Sequence, residues 1–283
     1  MAANNLAQTK AELFSSLVQK ELLDAISLAP LVEDLSSMAV KGVNVVSVPK
    51  LTSFTVSERG FGDAGADNAP LVDSVDQIPL SQNPIVKWNY DAADAMQSSI
   101  NYQIKAAERA ATAHIRNSNS KLIVGMIAAS NFSAGLVGAD ITEDAILAMR
   151  SHILKNEGDL SKTALIVPVD QEEAMLKIPN FIRNDYRGLG TPIVDGQIGT
   201  VYGVKVVITN ATSMPVDEAI MVEMSGYGYA VQREAKYGEQ PNLDYGTEGV
   251  KAVVDTTWGH GPLQVNEGYA AAASKSALIA TMK

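Results

Sequence analysis

Residues 194–210 read VDGQIGTVYGVKVVITN, with Gly196, Gly199 and Gly203 inside eight residues and Lys205 two places after the last. Glycines so spaced beside a lysine suggest either a phosphate cradle or a turn between strands. A phosphate-binding loop runs Gly-x4-Gly-Lys-Ser/Thr between a strand and a helix. Here the glycine spacings are three and four, no Lys-Ser/Thr pair follows, and VKVVIT is β-branched and unsuited to a helix. A dinucleotide fingerprint fails on the same spacing and the same missing helix. Two strands, QIGTV and VKVVIT, joined at Tyr202-Gly203 fit instead, because glycine takes positive φ without steric penalty. The stretch is predicted to be a hairpin.

Upstream, residues 139–178 read as an α/β unit. ADITEDAILAMRSHILKNEG puts Ile146, Met149 and Ile153 on one helical face. Asp140 with Glu143 resembles a capping box, and Gly158 follows a last turn holding Lys155. KTALIVPV (162–169) is a buried-type strand. A short helix is predicted next, capped by Asp170 with Glu173 reaching back, and ended by Pro179. Residues 180–196 form a loop of mixed charge.

Further upstream, Met96, Ile100, Ile104, Ala107, Ala111 and Ile115 make one apolar stripe in the longest helical pattern, 91–129. NSNS (117–120) is placed to interrupt or bend it. Residues 42–58 and 70–92 read as extended chain around RGFGDAGADNAP (59–70), whose glycines, aspartates and proline suit no regular element. Pro70, Pro79 and Pro84 favour a sheet edge. The result is a long two-stranded excursion with little core of its own, which must be flexible or lie on something else. At 10–29, Phe14, Val18, Leu22 and Ile26 recur every four residues up to Pro30, as a core helix or as an arm on a neighbour. Downstream, EAIMVEM, YGYAVQRE and GVKAVVDTTW are strand-like, and AAAASKSALIATMK reads as helical or frayed.

Composition narrows the function. With 46% apolar and 19% charged residues the chain is a folded globular protein rather than a disordered one. It has no cysteine, which excludes disulfides, thiolate metal sites and a cysteine nucleophile, and fits a reducing compartment. No signal peptide is seen, and the longest apolar run, LIVGMIAA, is far short of a membrane span. A soluble protein made in the cytoplasm is expected. The net charge of −10 argues against tight nucleic-acid binding, and the clearest basic cluster, Arg183 to Arg187, is split by Asp185. The three histidines, His114, His152 and His260, have no partner at i+4 and read as surface or packed residues. No nucleophile elbow occurs, and helix caps account for the paired acids. No catalytic residue, cofactor or metal is expected.

The order of elements resembles the major capsid protein of tailed bacteriophages, a fold shared with herpesvirus capsid floors and encapsulin compartments. The strongest local match is KTALIVPVDQEEAMLKIPN followed by DGQIGTVYGVKVVITNA, which carries the family's G-x-I-G-x-x-x-G-x-x-V hairpin. The resemblance covers roughly 10–270. It implies an α+β fold with an N-arm (1–41), an extended E-loop (42–90), a peripheral domain with a long spine helix (91–129), an axial domain (130–225) and peripheral return strands with a C-terminal tail (226–283). It implies subunit contacts through Phe14 and Val18 of the arm, Glu58, Arg59, Phe61 and Asp63 of the E-loop, and Arg183, Asp185 and Arg187 of the axial loop.

The function so implied is a structural subunit. Pentamers and hexamers would close an icosahedral shell around double-stranded DNA, in the host cytoplasm first and then in the virion. Implied partners are further copies of the chain, a separate scaffolding protein, a portal protein, a decoration protein, and packaged DNA held without specific contacts; no membrane is involved. The arm begins almost at once, which implies that scaffold or a chain already processed. Lys50 and Lys87 flank the E-loop, whose tip (59–69) has no lysine, so the lysine cross-link of some relatives is not expected. The rival readings are an encapsulin-type cellular compartment and an α/β enzyme of unknown reaction.

Overall fold

The computed structural model describes residues 28–51, 73–90, 101–135, 138–178, 199–210, 213–241, 250–264 and 275–282. In chain order these give β1 (Glu33–Asp34), β2 (Val45–Leu51), β3 (Asp73–Pro79), β4 (Ile85–Tyr90), α1 (Asn101–Ala129), β5 (Ser130–Ala134) and α2 (Glu143–Lys155). Then follow β6 (Thr163–Pro168), α3 (Glu172–Lys177), β7 (Thr200–Val201), β8 (Val204–Thr209), β9 (Ala219–Glu223), β10 (Tyr227–Pro241), β11 (Val250–Pro262) and β12 (Ser276–Met282). One sheet has the order β1-β10-β11-β4, a second β5-β12-β9-β6-β8-β7, and β2 pairs with β3 alone. The fold is mixed α+β.

Every residue of β6 and β9 is buried, as in a sheet covered on both faces. Side chains alternate across it. Leu165, Val167 and Met221 face α2 and α3, where Ile146, Met149, Ile153 and Met175 complete one core. Ile166, Ile220, Val222 and Ile279 face the other way, onto Leu122, Ile123 and Met126 of α1. The first half of α1 packs through Ala107, Ala110 and Ala111 onto Ala235, Tyr237, Ala252 and Val254 of β10 and β11. One helix of 29 residues, roughly 44 Å long, therefore lies on both sheets.

The predicted hairpin is present. Thr200 pairs with Lys205 and Val201 with Val204, and Tyr202 (φ 50°) and Gly203 (φ 83°) both take the positive φ that a type I′ turn needs. Tyr202 is held onto α2 at both ends: its carbonyl accepts from Arg150 Nε at 3.1 Å, and its hydroxyl donates to Glu143.

Several expectations are corrected. NSNS does not interrupt α1, which runs through it. Asn119 Oδ1 accepts the Leu28 amide at 3.0 Å, Ser118 bonds back to the His114 carbonyl, and the large residues of the next turn hold the helix down. Thr142, not Asp140, caps α2, with its hydroxyl on the Ala145 amide. Asp170 lies in a 3₁₀ turn rather than capping α3, and Glu173 pairs outward with Lys177 at 2.7 Å. The extended return is split: β3 pairs with β2, while β4 joins β11 at an edge of the four-stranded sheet. The base of the excursion also has a core, in which Val46, Ile78 and Leu80 meet Leu35, Ala230 and Leu263.

The alanine-rich end is neither helical nor frayed at 276–282. It is β12, inserted between β5 and β9. Ser276, Leu278, Ile279, Ala280, Thr281 and Met282 are all buried, and a strand with both faces covered shows no alternation that sequence could reveal.

Candidate assembly surfaces

The described residues hold no group of three or more acidic or histidine side chains arranged to bind a metal. The three histidines are packing residues. His114 is buried in α1 with Nε2 3.3 Å from the Val254 carbonyl. His152 stacks on Phe132 at 4.5 Å. His260 meets the Tyr227 hydroxyl at 2.6 Å between Nδ1 and Oη. Burial, reinforced by Lys121, pushes the His260 imidazole down to about 4, and burial raises the Tyr227 phenol. Both shifts keep the groups neutral, which suits packing and not proton transfer near neutral pH. No described helix is long and apolar enough to cross a membrane.

What the chain does present is apolar surface. The β2–β3 pair is in register from Val45↔Pro79 to Leu51↔Asp73. Its inner side chains, Val46 and Ile78, are fully buried, while its outer face carries Val45, Pro49, Val75 and Pro79, with Val75 51% exposed. Met38 and Val40, which precede β2 in the chain, are exposed as well. On the opposite side of the six-stranded sheet from α1, Leu147 and Leu154 of α2, two turns apart, are also exposed. On the outer face of β2–β3 the exposed Ser47–Gln77 pair sits between the apolar pairs Val45–Pro79 and Pro49–Val75; exposed apolar side chains grouped in this way fit a contact with another protein.

The nine candidate contact residues, Phe14, Val18, Glu58, Arg59, Phe61, Asp63, Arg183, Asp185 and Arg187, lie outside the described residues. Their anchors are described. Residues 52–72 connect Leu51 to Asp73, which are paired Cα partners. Residues 179–198 connect the end of α3 to the start of the β7–β8 hairpin. On β2, Val46 and Val48 turn inward while Val45, Ser47 and Pro49 are exposed.

No family model matches the sequence, and no curated protein does. Solved structures do. A chain from Mycobacterium phage Che8 is 16% identical, with TM-score 0.69 over 92% of this chain and 91% of that one. A chain of the bacteriophage PhiM1 mature capsid is 12% identical, with TM-score 0.66 over 92% and 87%. A chain of the virus-like particle from Pyrococcus furiosus is 13% identical, with TM-score 0.60 over 97% and 99%. At such identities the likeness is one of fold, and it extends over nearly the whole of each chain: this protein has the fold of the tailed-phage major capsid proteins, which the Pyrococcus particle shares.

Proposed function

We propose that the chain is the major capsid protein of a tailed bacteriophage, assembling as pentamers and hexamers into an icosahedral shell around double-stranded DNA. The observation that carries this is the near-complete correspondence with capsid chains, among them that of the PhiM1 mature capsid. The exposed apolar face of β2–β3 supports it, because a neighbouring copy would cover that face. In this reading 1–41 is the arm, 42–90 the loop laid on an adjacent subunit, 91–129 the spine, 130–225 the axial domain, and the strands after 226 return to the peripheral sheet. The protein acts by burying interface area and not by catalysis.

Phe14 and Val18 would dock the arm, and Glu58, Arg59, Phe61 and Asp63 the loop. Arg183, Asp185 and Arg187 would pair with copies of themselves around the ring axis. Exposed pairs contribute only about 0–1 kcal/mol each, so they would set register more than strength. Scaffolding, portal and decoration proteins are the remaining partners. An acidic wall would not grip packaged DNA through its phosphates.

Electron microscopy of the protein made alone and with its genomic neighbours tests the proposal. Closed shells or six-fold rings support it; a small discrete particle in both preparations overturns it. Replacing Arg183 and Arg187 by Glu is expected to disturb ring formation, and normal shells from that variant remove their role. A second reading, an encapsulin-type compartment, is favoured by the match over 97% of this chain to the Pyrococcus particle. Shells that form without a scaffold and co-purify with a cargo enzyme would select it.

A further inference from the structure

Strand β4 closes one side of the four-stranded sheet, and no other described strand lies beyond it. The backbone register fixes which of its groups are open. Gln82 and Trp258 exchange both backbone bonds, at 3.0 Å each, and pairing continues without a shift from Ile85↔Asp255 to Tyr90↔Val250. Antiparallel pairs alternate between bonded and non-bonded, so Pro84, Val86, Trp88 and Tyr90 turn their backbone groups toward β11. The Thr256 amide, which donates to the Pro84 carbonyl at 3.3 Å, keeps this phase. Ile85, Lys87 and Asn89 therefore point their N–H and C=O groups away from β11. The missing amide of Pro84 falls on the β11 side, so no proline interrupts the open edge.

The same register builds the sheet face that turns away from α1. Paired residues share a face, and Val86, Trp88, Ala252 and Val254 take the side against the helix. Ile85, Lys87 and Asn89 take the other side, beside Asp255, Val253 and Lys251 of β11, with Lys236 of β10 opposite Asp255. Lys87, Lys251 and Lys236 are all exposed. Asp255, the one acid in this register, is engaged by Arg233 at 2.8 Å. Lys251 lies diagonal to Lys87, close enough for long side chains to interact. In a chain of net charge −10, this face thus gathers three cations with no ion-pair partner among the described residues. A single lysine would be enough to keep like edges apart: a second copy's β4, paired antiparallel about Lys87, would set lysine against lysine. Three lysines on one face also favour a partner of the opposite sign.

We propose that the outer edge of β4 is a strand-addition site for an extended acidic segment of a partner protein. The segment's backbone bonds to Ile85, Lys87 and Asn89 as a further strand, and its side chains alternate between the two faces. On the outer face a carboxylate stands opposite Lys87, within reach of Lys251, and an apolar side chain covers Ile85, which is 52% exposed. On the inner face apolar side chains continue the surface of Val86 and Trp88. The site belongs to the single chain, so it goes beyond the shell-forming reading and does not depend on it.

The test is amide hydrogen exchange by NMR on the unassembled full chain, with an alternating valine–glutamate peptide as the probe. With peptide at about ten times its dissociation constant, exchange at Ile85, Lys87 and Asn89 is expected to slow about 10-fold. Val86 and Trp88, already bonded to β11, are expected to stay unchanged. No binding, or binding without protection of those three amides, overturns the proposal. An alternating valine–lysine peptide is expected not to bind, and equal protection by it overturns the acidic specificity. Lys87→Glu, a change at an exposed position, is expected to weaken the valine–glutamate peptide on the order of 10-fold; an unchanged affinity overturns the role of the lysine face. Protection of the same three amides that rises with protein concentration, in the absence of peptide, would make a second copy the occupant and overturn the choice of partner.

Discussion

Gly259 of β11 faces the backbone of Pro79. The Pro79 carbonyl and the Leu80 Cα, 2.9 Å away, fill the space that a Cβ would occupy. Backbone atoms cannot step aside as a flexible side chain can. Gly259→Ala is therefore expected to destabilise the chain by about 1–3 kcal/mol. At Gly261 the nearest atom is at an ordinary 3.5 Å, so Gly261→Ala is expected to be nearly neutral. Urea unfolding of the two variants checks this; equal losses would refute the close approach.

Helix α2 ends in a Schellman motif. The Gly158 amide donates to the Ile153 carbonyl and the Glu157 amide to the Leu154 carbonyl. The left-handed position is filled by Glu157, at φ 62°, where glycine carries no Cβ penalty. Glu157→Gly is expected to raise stability by about 0.5–1 kcal/mol, the relief of the left-handed strain less the added freedom of the unfolded chain. Thermal unfolding reads it directly, and a lower midpoint would contradict the assignment.

Strand β12 joins β5 to the rest of its sheet, and Ile279 is fully buried against α1. Ile279→Ala is expected to cost about 2–5 kcal/mol. A loss below 1 kcal/mol in denaturant unfolding would argue that β12 is not a central strand.

His114 is buried with Nδ1 unpartnered. Burial lowers its affinity for protons, against the opposing pull of the Val254 carbonyl and Asp255. Its contribution is therefore present above the unfolded value near 6.5 and is lost as pH falls below it. His114→Gln is expected to reduce the fall in urea midpoint between pH 7 and pH 5. An unchanged slope would place the acid sensitivity elsewhere.

The hairpin at Tyr202-Gly203 was legible because its turn demands a conformation that few residues accept, and the helix from 101 because one stripe persists over many turns. Two of the missed features share a cause, distant residues outvoting local preference, and the third is a local choice between neighbouring caps. NSNS stays helical because Leu28, ninety-one positions away, uses Asn119 as an acceptor. SALIATM becomes a strand because α1 and α2 cover its two faces. The cap of α2 falls on Thr142 because that residue is the extended one from which a hydroxyl reaches Ala145. The candidate contact residues were reached through family resemblance. The geometry adds the surface from which their segments depart.

Because α1 rests on both sheets, a rotation of the helix would act on both at once. With Gly125, where the helix abuts the Tyr227 hydroxyl, as pivot, the Asn101 end lies about 36 Å away, and a tilt of about 5° would sweep it by about 3 Å. Along the long arm Ala107, Ala110 and Ala111 meet Ala235, Tyr237, Ala252 and Val254, while Leu122, Ile123 and Met126 seat the short one. A small rotation at the gripped end would thus be delivered, magnified, to the four-stranded sheet.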